Sequence, residues 1–180
     1  MPNRKSLLTN SIIKKEKASK LKGVRFLGFN GSDTFFFSIK SASRKFVYHK
    51  ISLQVVDLRQ ALEDLVDANS MTNVHFIKSV LNYAFTLKLR VYCSCEDFLY
   101  SGAKYWNYKN DSGIEPETRP PQPDKLKRRS LLCKHIRFIL SNISRYVYVM
   151  SKSISNAFKK EWQELAEEIT DDVDEQTEDE

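Results

Sequence analysis

Leu87-Lys88-Leu89-Arg90-Val91-Tyr92-Cys93-Ser94-Cys95, followed after 37 residues (96–132) by Cys133-Lys134-His135-Ile136, is the stretch from which the fold is read. Successive side chains of a strand point to opposite faces, so Leu87, Leu89, Val91, Cys93 and Cys95 share one face and Lys88, Arg90, Tyr92 and Ser94 the other. The two cysteines therefore extend the inner row of a half-buried strand. Ile136, Ile139, Leu140 and Ile143 then recur at helical spacing. Ligands two residues apart within a helix diverge by about 200°. Cys133 and His135 can meet at one point only if Cys133 lies in the turn before that helix and His135 in its first turn. All three cysteines of the chain are used by this pattern. Three thiolates and an imidazole make a complete tetrahedral set for zinc, and four protein ligands close the site, as structural zinc requires. The expected ligands are Cys93, Cys95, Cys133 and His135, with Zn²⁺ as cofactor. No cysteine is left to suggest disulfide pairing and no secretory segment is evident, which points to a reducing, cytoplasmic compartment. The expected centre carries a formal charge near −1, with Arg90, Lys134 and Arg137 close in sequence to offset it.

Cys93-Ser94-Cys95-Glu96-Asp97-Phe98 with Cys133-Lys134-His135-Ile136 resembles the SWIM-type zinc finger, whose pattern is C-x-C, a variable spacer and C-x-H. The resemblance spans roughly residues 87–145. It implies a ββα module with zinc between a strand pair and a helix, and binding to DNA or proteins in place of catalysis. Within the spacer, Tyr105-Trp106-Asn107-Tyr108-Lys109-Asn110 and Pro116-Glu117-Thr118-Arg119-Pro120-Pro121 resemble SWIM-type proteins of tailed bacteriophages, which implies a virion or head-associated setting. Members of that group often have proline where this chain has Glu96, a departure that touches no ligand.

Outward from the motif, 180 residues with 41% apolar content support one domain with appendages. No run approaches the roughly 20 apolar residues that cross a bilayer, so no membrane partner is expected. The net charge of +6 conceals an asymmetry. Residues 161–180 hold eleven acids and no Lys or Arg; taking 11 from 23 leaves 12 acids against 29 bases over residues 1–160, a net of +17. Such a body suits DNA or another nucleic acid, or a polyanionic protein partner in an assembly.

The expected organisation is a flexible basic arm (1–22), a single α+β domain (23–150) with the finger at 87–145 and an inserted loop at 96–132, an amphipathic helix (151–170) and an acidic tail (171–180). The fold class is α+β: a small antiparallel sheet with packed helices and a ββα-like zinc knuckle. Strands are read at Val24 to Phe29, Thr34 to Lys40 and Lys45 to Val56, with turns at Gly31-Ser32-Asp33 and Ser41 to Arg44. A helix begins at Asp57, with Gln60 as capping-box partner and Leu58, Ala61, Leu62 and Leu65 inward. A second runs from Asn73 to Ala84, with Phe76, Ile77, Val80 and Leu81 inward. His49 and His75 are read as exposed or core histidines outside the metal site. Ile154, Phe158, Trp162, Leu165 and Ile169 form the stripe of the last helix, as a core or partner surface.

The spacer carries the candidate nucleic-acid contacts. Tyr100, Tyr105, Trp106 and Tyr108 interleave with Lys104 and Lys109, the pattern of a single-strand binder, although a satellite core around Trp106 fits the same residues. Lys125, Lys127, Arg128 and Arg129 form a basic run beside the finger, joined by Lys134. Phosphate-cradling and nucleophile motifs are missing and the chain has only five glycines, so catalysis is not expected. Two functions remain: a nucleic-acid-binding zinc module, or a structural protein that uses the finger for protein–protein docking. The acidic tail is expected to lie on the basic body and weaken nonspecific DNA binding.

Overall fold

Phe35, Phe37 and Ile39 alternate with Phe36, Ser38 and Lys40, and this two-residue period makes a strand with one buried face. In the computed structural model, which describes residues 21–41, 43–65, 73–86, 88–100, 103–120 and 132–177 (side chains of 64, 65, 162 and 165–177 excepted), that strand is β2, Thr34–Lys40. It lies between β1 (Val24–Phe29) and β3 (Tyr48–Val55), and β4 (Leu89–Cys93) completes an antiparallel sheet in the order β1-β2-β3-β4. The protein is thus an α+β fold.

Register carries the alternation across the sheet. Phe37 faces Ile51 and Phe26, Phe35 faces Leu53, and Leu53 faces Val91, so their side chains share one layer. Strict alternation would send Phe29 to the opposite side from Phe26. A bulge between Phe26 and Gly28 inserts Leu27, and Gly28 takes φ 150°, a value closed to most side chains. Phe29 is thereby returned to the inner face, stacked on Phe35 at 4.9 Å, while Phe26 meets Phe37 edge-on at 5.3 Å. Leu27 is left 55% exposed.

Between β3 and β4 run α1 (Leu58–Leu65) and α2 (Val74–Ala84). Leu58 and Leu62 are buried as expected, whereas Ala61 is only half-buried. Asp57 does not adopt the extended conformation of an ordinary N-cap. Its φ is +62°, while its carbonyl still accepts the first helical bond from Ala61 at 2.9 Å. Asn73 caps α2, its side chain accepting from the N–H groups of His75 and Phe76. His75 is exposed.

The spacer departs from expectation. It does not run as one loop: α3 (Glu96–Tyr100) and α4 (Ala103–Lys109) lie within it, and Gly113 bridges to Val91 beside β4. After it come α5 (Lys134–Ser141), a 3₁₀ turn (Ile143–Arg145) and α6 (Val147–Thr177). The last helix starts four residues before the expected 151 and continues into the acidic segment. Val147, Met150, Ile154 and Phe158 are buried at helical spacing, and α6 packs on α2 and β1. Arg59 ties α6 to α1 through Glu161 at 2.7 Å. The helices cover the inner face of the sheet. Strand β3 starts at Tyr48, three residues later than read, because the hairpin is closed by Ser41 N–H donating to the Val47 carbonyl at 2.8 Å and residues 43–47 are not in the strand. Leu21, assigned to the arm, is buried in the core; residues 1–20 lie outside the described residues. Among the described residues no helix is long and apolar enough to cross a membrane.

Candidate metal centre

Cys93 is the last residue of β4, held in register by its pairing with Ile51. The strand stops there. Cys95 was expected to continue the inner row of β4, but it lies in the turn into α3, where its carbonyl accepts from the N–H groups of Phe98 and Leu99. Two hydrogen bonds prepare that turn: Ser94 N–H to the Lys50 carbonyl (3.0 Å) and Lys50 N–H to Ser94 Oγ (2.9 Å). Helix nucleation immediately after Ser94 then swings the Cys95 sulfur inward. The Phe98 N–H donates to that sulfur at 3.3 Å.

The other two residues follow the expected arrangement. Cys133 is the N-cap of α5, with φ −73° and ψ 166°, and His135 lies in the first turn. The Cys133 side chain makes no capping hydrogen bond, so its sulfur is not committed to the helix. All four side chains are buried, and their ligand atoms lie within 4.8 Å of one another. His135 Nδ1 is 3.9 Å from Cys93 Sγ, and His135 Nε2 is buried with no hydrogen-bond partner among the described residues. Among the described residues Nδ1 thus makes contact only with the cluster itself, and Nε2 is left without a partner. The His49 ring, at 4.6 Å between centroids, packs against the imidazole from β3 and stays outside the quartet. Burial, followed by the neighbouring His135, lowers the His49 pKa and favours its neutral form.

The electrostatics of the quartet ask for a cation. Hydrogen bonds from Cys133 and then Cys93 hold the Cys95 thiol far below its ordinary range, helped by the Phe98 N–H. Burial raises Cys133 well above that range. For Cys93 the contact with Cys133 pulls downward, yet the contact with Cys95 and burial outweigh it, and the net shift is upward. One negative charge can thus be shared among the three sulfurs. Ionising the other two in this buried site requires a positive ion between them. The donor set fits a metal ion, and these four residues could hold one.

Of the cations expected to offset the centre, Lys134 and the buried Arg137 lie on α5 beside the ligands. Arg90 does not serve. It projects from the opposite face of β4 and pairs with Asp111 at 2.9 Å.

Trp106 is half-buried against the core with Tyr105 edge-on to it, and Lys104 pairs with Glu115 at 2.9 Å. This is the satellite-core arrangement. Asn107, whose role no local pattern signals, is its buried staple. Asn107 Nδ2 donates to the Ala103 carbonyl (2.8 Å), and its Oδ1 accepts from Ser112 Oγ (2.8 Å). The Ser112 carbonyl in turn accepts from Val91 N–H at 2.7 Å, which fixes the free edge of β4 two residues before Cys93. A Cβ on Gly113 would lie 3.1 Å from the Tyr108 backbone nitrogen, so a side chain there would push the backbone apart by a few tenths of an ångström. Asn107→Ala is expected to cost about 1–3 kcal/mol by leaving buried partners unsatisfied. Urea denaturation checks this, and loss under a few tenths of a kcal/mol would remove the staple. Further along, Arg119 grips the Glu117 carboxylate with both arms of its guanidinium and holds the carboxyl down at about 2. Lys125, Lys127, Arg128 and Arg129 lie outside the described residues.

Compared with protein-family models, with curated proteins and with solved structures, the chain matches none.

Proposed function

We propose that the quartet holds zinc as a closed structural centre, and that the protein is a non-catalytic module binding nucleic acid through a basic, aromatic-containing surface. The observation that carries this reading is the buried cluster of Cys93, Cys95, Cys133 and His135. Tetrahedral zinc with sulfur at about 2.3 Å and nitrogen at about 2.0 Å has ligand–ligand edges of about 3.5–3.8 Å. The separation of 3.9 Å between Cys93 Sγ and His135 Nδ1 is close to such an edge. Bound there, zinc supplies a cross-link between the β4 end and the α5 start. The four side chains orient one another, exclude water by burial and leave no position for a substrate. The C-x-C and C-x-H spacing supports a SWIM-type assignment on the ligand pattern alone.

Nucleic acid is the favoured partner because residues 1–160 carry 29 basic and 12 acidic residues. Labelled DNA titrated with zinc-loaded protein, full-length and lacking 171–180, is expected to show tight binding whose log affinity falls linearly with log salt. The slope is about 0.9 per phosphate contact on duplex and about 0.7 on single strands. The truncated form is expected to bind more tightly. Binding that is absent from both forms at low salt would overturn the nucleic-acid reading. A second reading, a structural or assembly protein of phage-virion type that docks on another protein, is favoured by one feature: α6 runs 31 residues. Its signature is salt-insensitive association with one partner.

A further inference from the structure

One face of the sheet is covered by helices; over β1–β3 no element among the described residues covers the other. Side chains there are set by the same register that builds the core. Lys40 lies opposite Tyr48, the next row holds Arg25, Ser38 and Lys50, and the row after that holds Phe36 opposite Ser52. Tyr48 is 46% exposed and Phe36 37%. Rings therefore alternate with a row of cations along the strands. The Arg25 guanidinium sits 5.9 Å over the Tyr48 ring, and Lys40 and Lys50 enter no ion pair among the described residues. The acids bordering this face are already occupied: Asp33 accepts from Gln54 and Thr34 at one end, and Glu96 pairs with Arg44 at the other.

The β2–β3 hairpin adds a third ring. Phe46 is 89% exposed and holds φ +62°, a left-handed conformation that is costly for an aromatic residue. Folding gains nothing from such a side chain in water at a strained position. A partner that stacks on it would.

We propose that this open sheet face, with the hairpin tip, is a platform for single-stranded nucleic acid. Unpaired bases stack on Tyr48, Phe36 and Phe46 while Arg25, Lys40 and Lys50 follow the phosphates. A flat surface of exposed rings favours unpaired bases, since a duplex hides the base faces that stacking needs. The platform shares no residue with the basic run at 125–129 or with the Trp106 cluster. It rests on the reading that the protein binds nucleic acid at all.

The test uses full-length, zinc-loaded protein and a labelled mixed-sequence DNA single strand and its duplex, at two salt concentrations. The wild type is expected to prefer the single strand. Phe46→Gly with Tyr48→Ala removes two stacking rings and should weaken single-strand binding by at least about 30-fold while leaving the salt slope unchanged. Thermal unfolding should show this variant as stable as the wild type or more so at position 46, where glycine relieves the backbone. Lys50→Gln should lower the salt slope by about one contact and leave the fold intact. If the wild type binds but all these variants bind as it does, while alanines at 125, 127, 128 and 129 abolish binding, the platform is overturned and the nucleic-acid reading stands. A preference for duplex would also overturn the platform. Absence of binding by the wild type at either salt overturns both.

Discussion

Cys133→Ser is expected to lose stoichiometric zinc and to lower the stability of the folded protein by at least about 4 kcal/mol, part of the roughly 10–16 kcal/mol that structural zinc contributes in finger peptides. The residue is 1% exposed at the N-cap of α5, and its sulfur faces the quartet rather than the helix. A serine oxygen there is a poor replacement for a thiolate, and the remaining sulfurs would be buried without a cation. In the proposed centre the ion would join residues 93–95 to 133–135, and its loss would free the start of α5 from the end of β4. At about 2–4 °C per kcal/mol for a chain of this size, the melting temperature should fall by about 8–16 °C. Metal analysis and thermal unfolding read the two effects separately. One equivalent of zinc retained by the variant would remove Cys133 from the ligand set. Zinc lost with no change in melting temperature would mean that the ion does not hold the fold. Because burial and sulfur–sulfur contacts push the Cys93 and Cys133 thiols upward, a bound zinc ion would have to displace protons, and its affinity is expected to fall as pH is lowered.

Phe37→Ala should cost about 3–5 kcal/mol, the range for deleting a fully buried aromatic side chain. Phe37 is 0% exposed at the centre of the sheet. It meets Phe26 edge-on at 5.3 Å and Tyr146 at 5.5 Å, so the cavity would open between β1, β2 and the turn before α6. The adjacent Phe36, on the open face, serves as the internal comparison, since Phe36→Ala removes a ring already 37% exposed and should cost under about 1.5 kcal/mol. Urea unfolding with an unchanged slope measures both. Equal losses at 36 and 37 would contradict the assignment of faces.

Phe37 and Phe36 also show what was legible before folding. Period-two alternation places Phe35, Phe37 and Ile39 inside and Lys40 outside from the sequence alone, because strand geometry is local and every second side chain shares a face. The Cys133–His135 pair was legible for a similar reason: helical twist forbids both residues inside α5 and forces the first into its N-cap. Cys95 was not. Whether a strand continues past Cys93 depends on the hydrogen bonds Ser94 makes to Lys50 on the neighbouring strand and on helix α3 starting at Glu96. The spacer was read as a loop because its turns of helix are short, five and seven residues, and their stability comes from packing on β4 and not from periodicity. Asn107 is polar on a helix, a pattern that reads as surface until Ser112 folds back on it. The bulge at Leu27 and the left-handed Phe46 are likewise invisible in one dimension. The sequence by itself determined the ligand types, their spacing and the inner row of the sheet, all consequences of side-chain chemistry and local backbone period. Tertiary structure alone decided that the four side-chain donor atoms meet within 4.8 Å, that Arg90 points away from them, and that a row of cations and rings is left exposed among the described residues. Those outcomes depend on contacts between residues far apart in the chain, whose formation no local rule specifies.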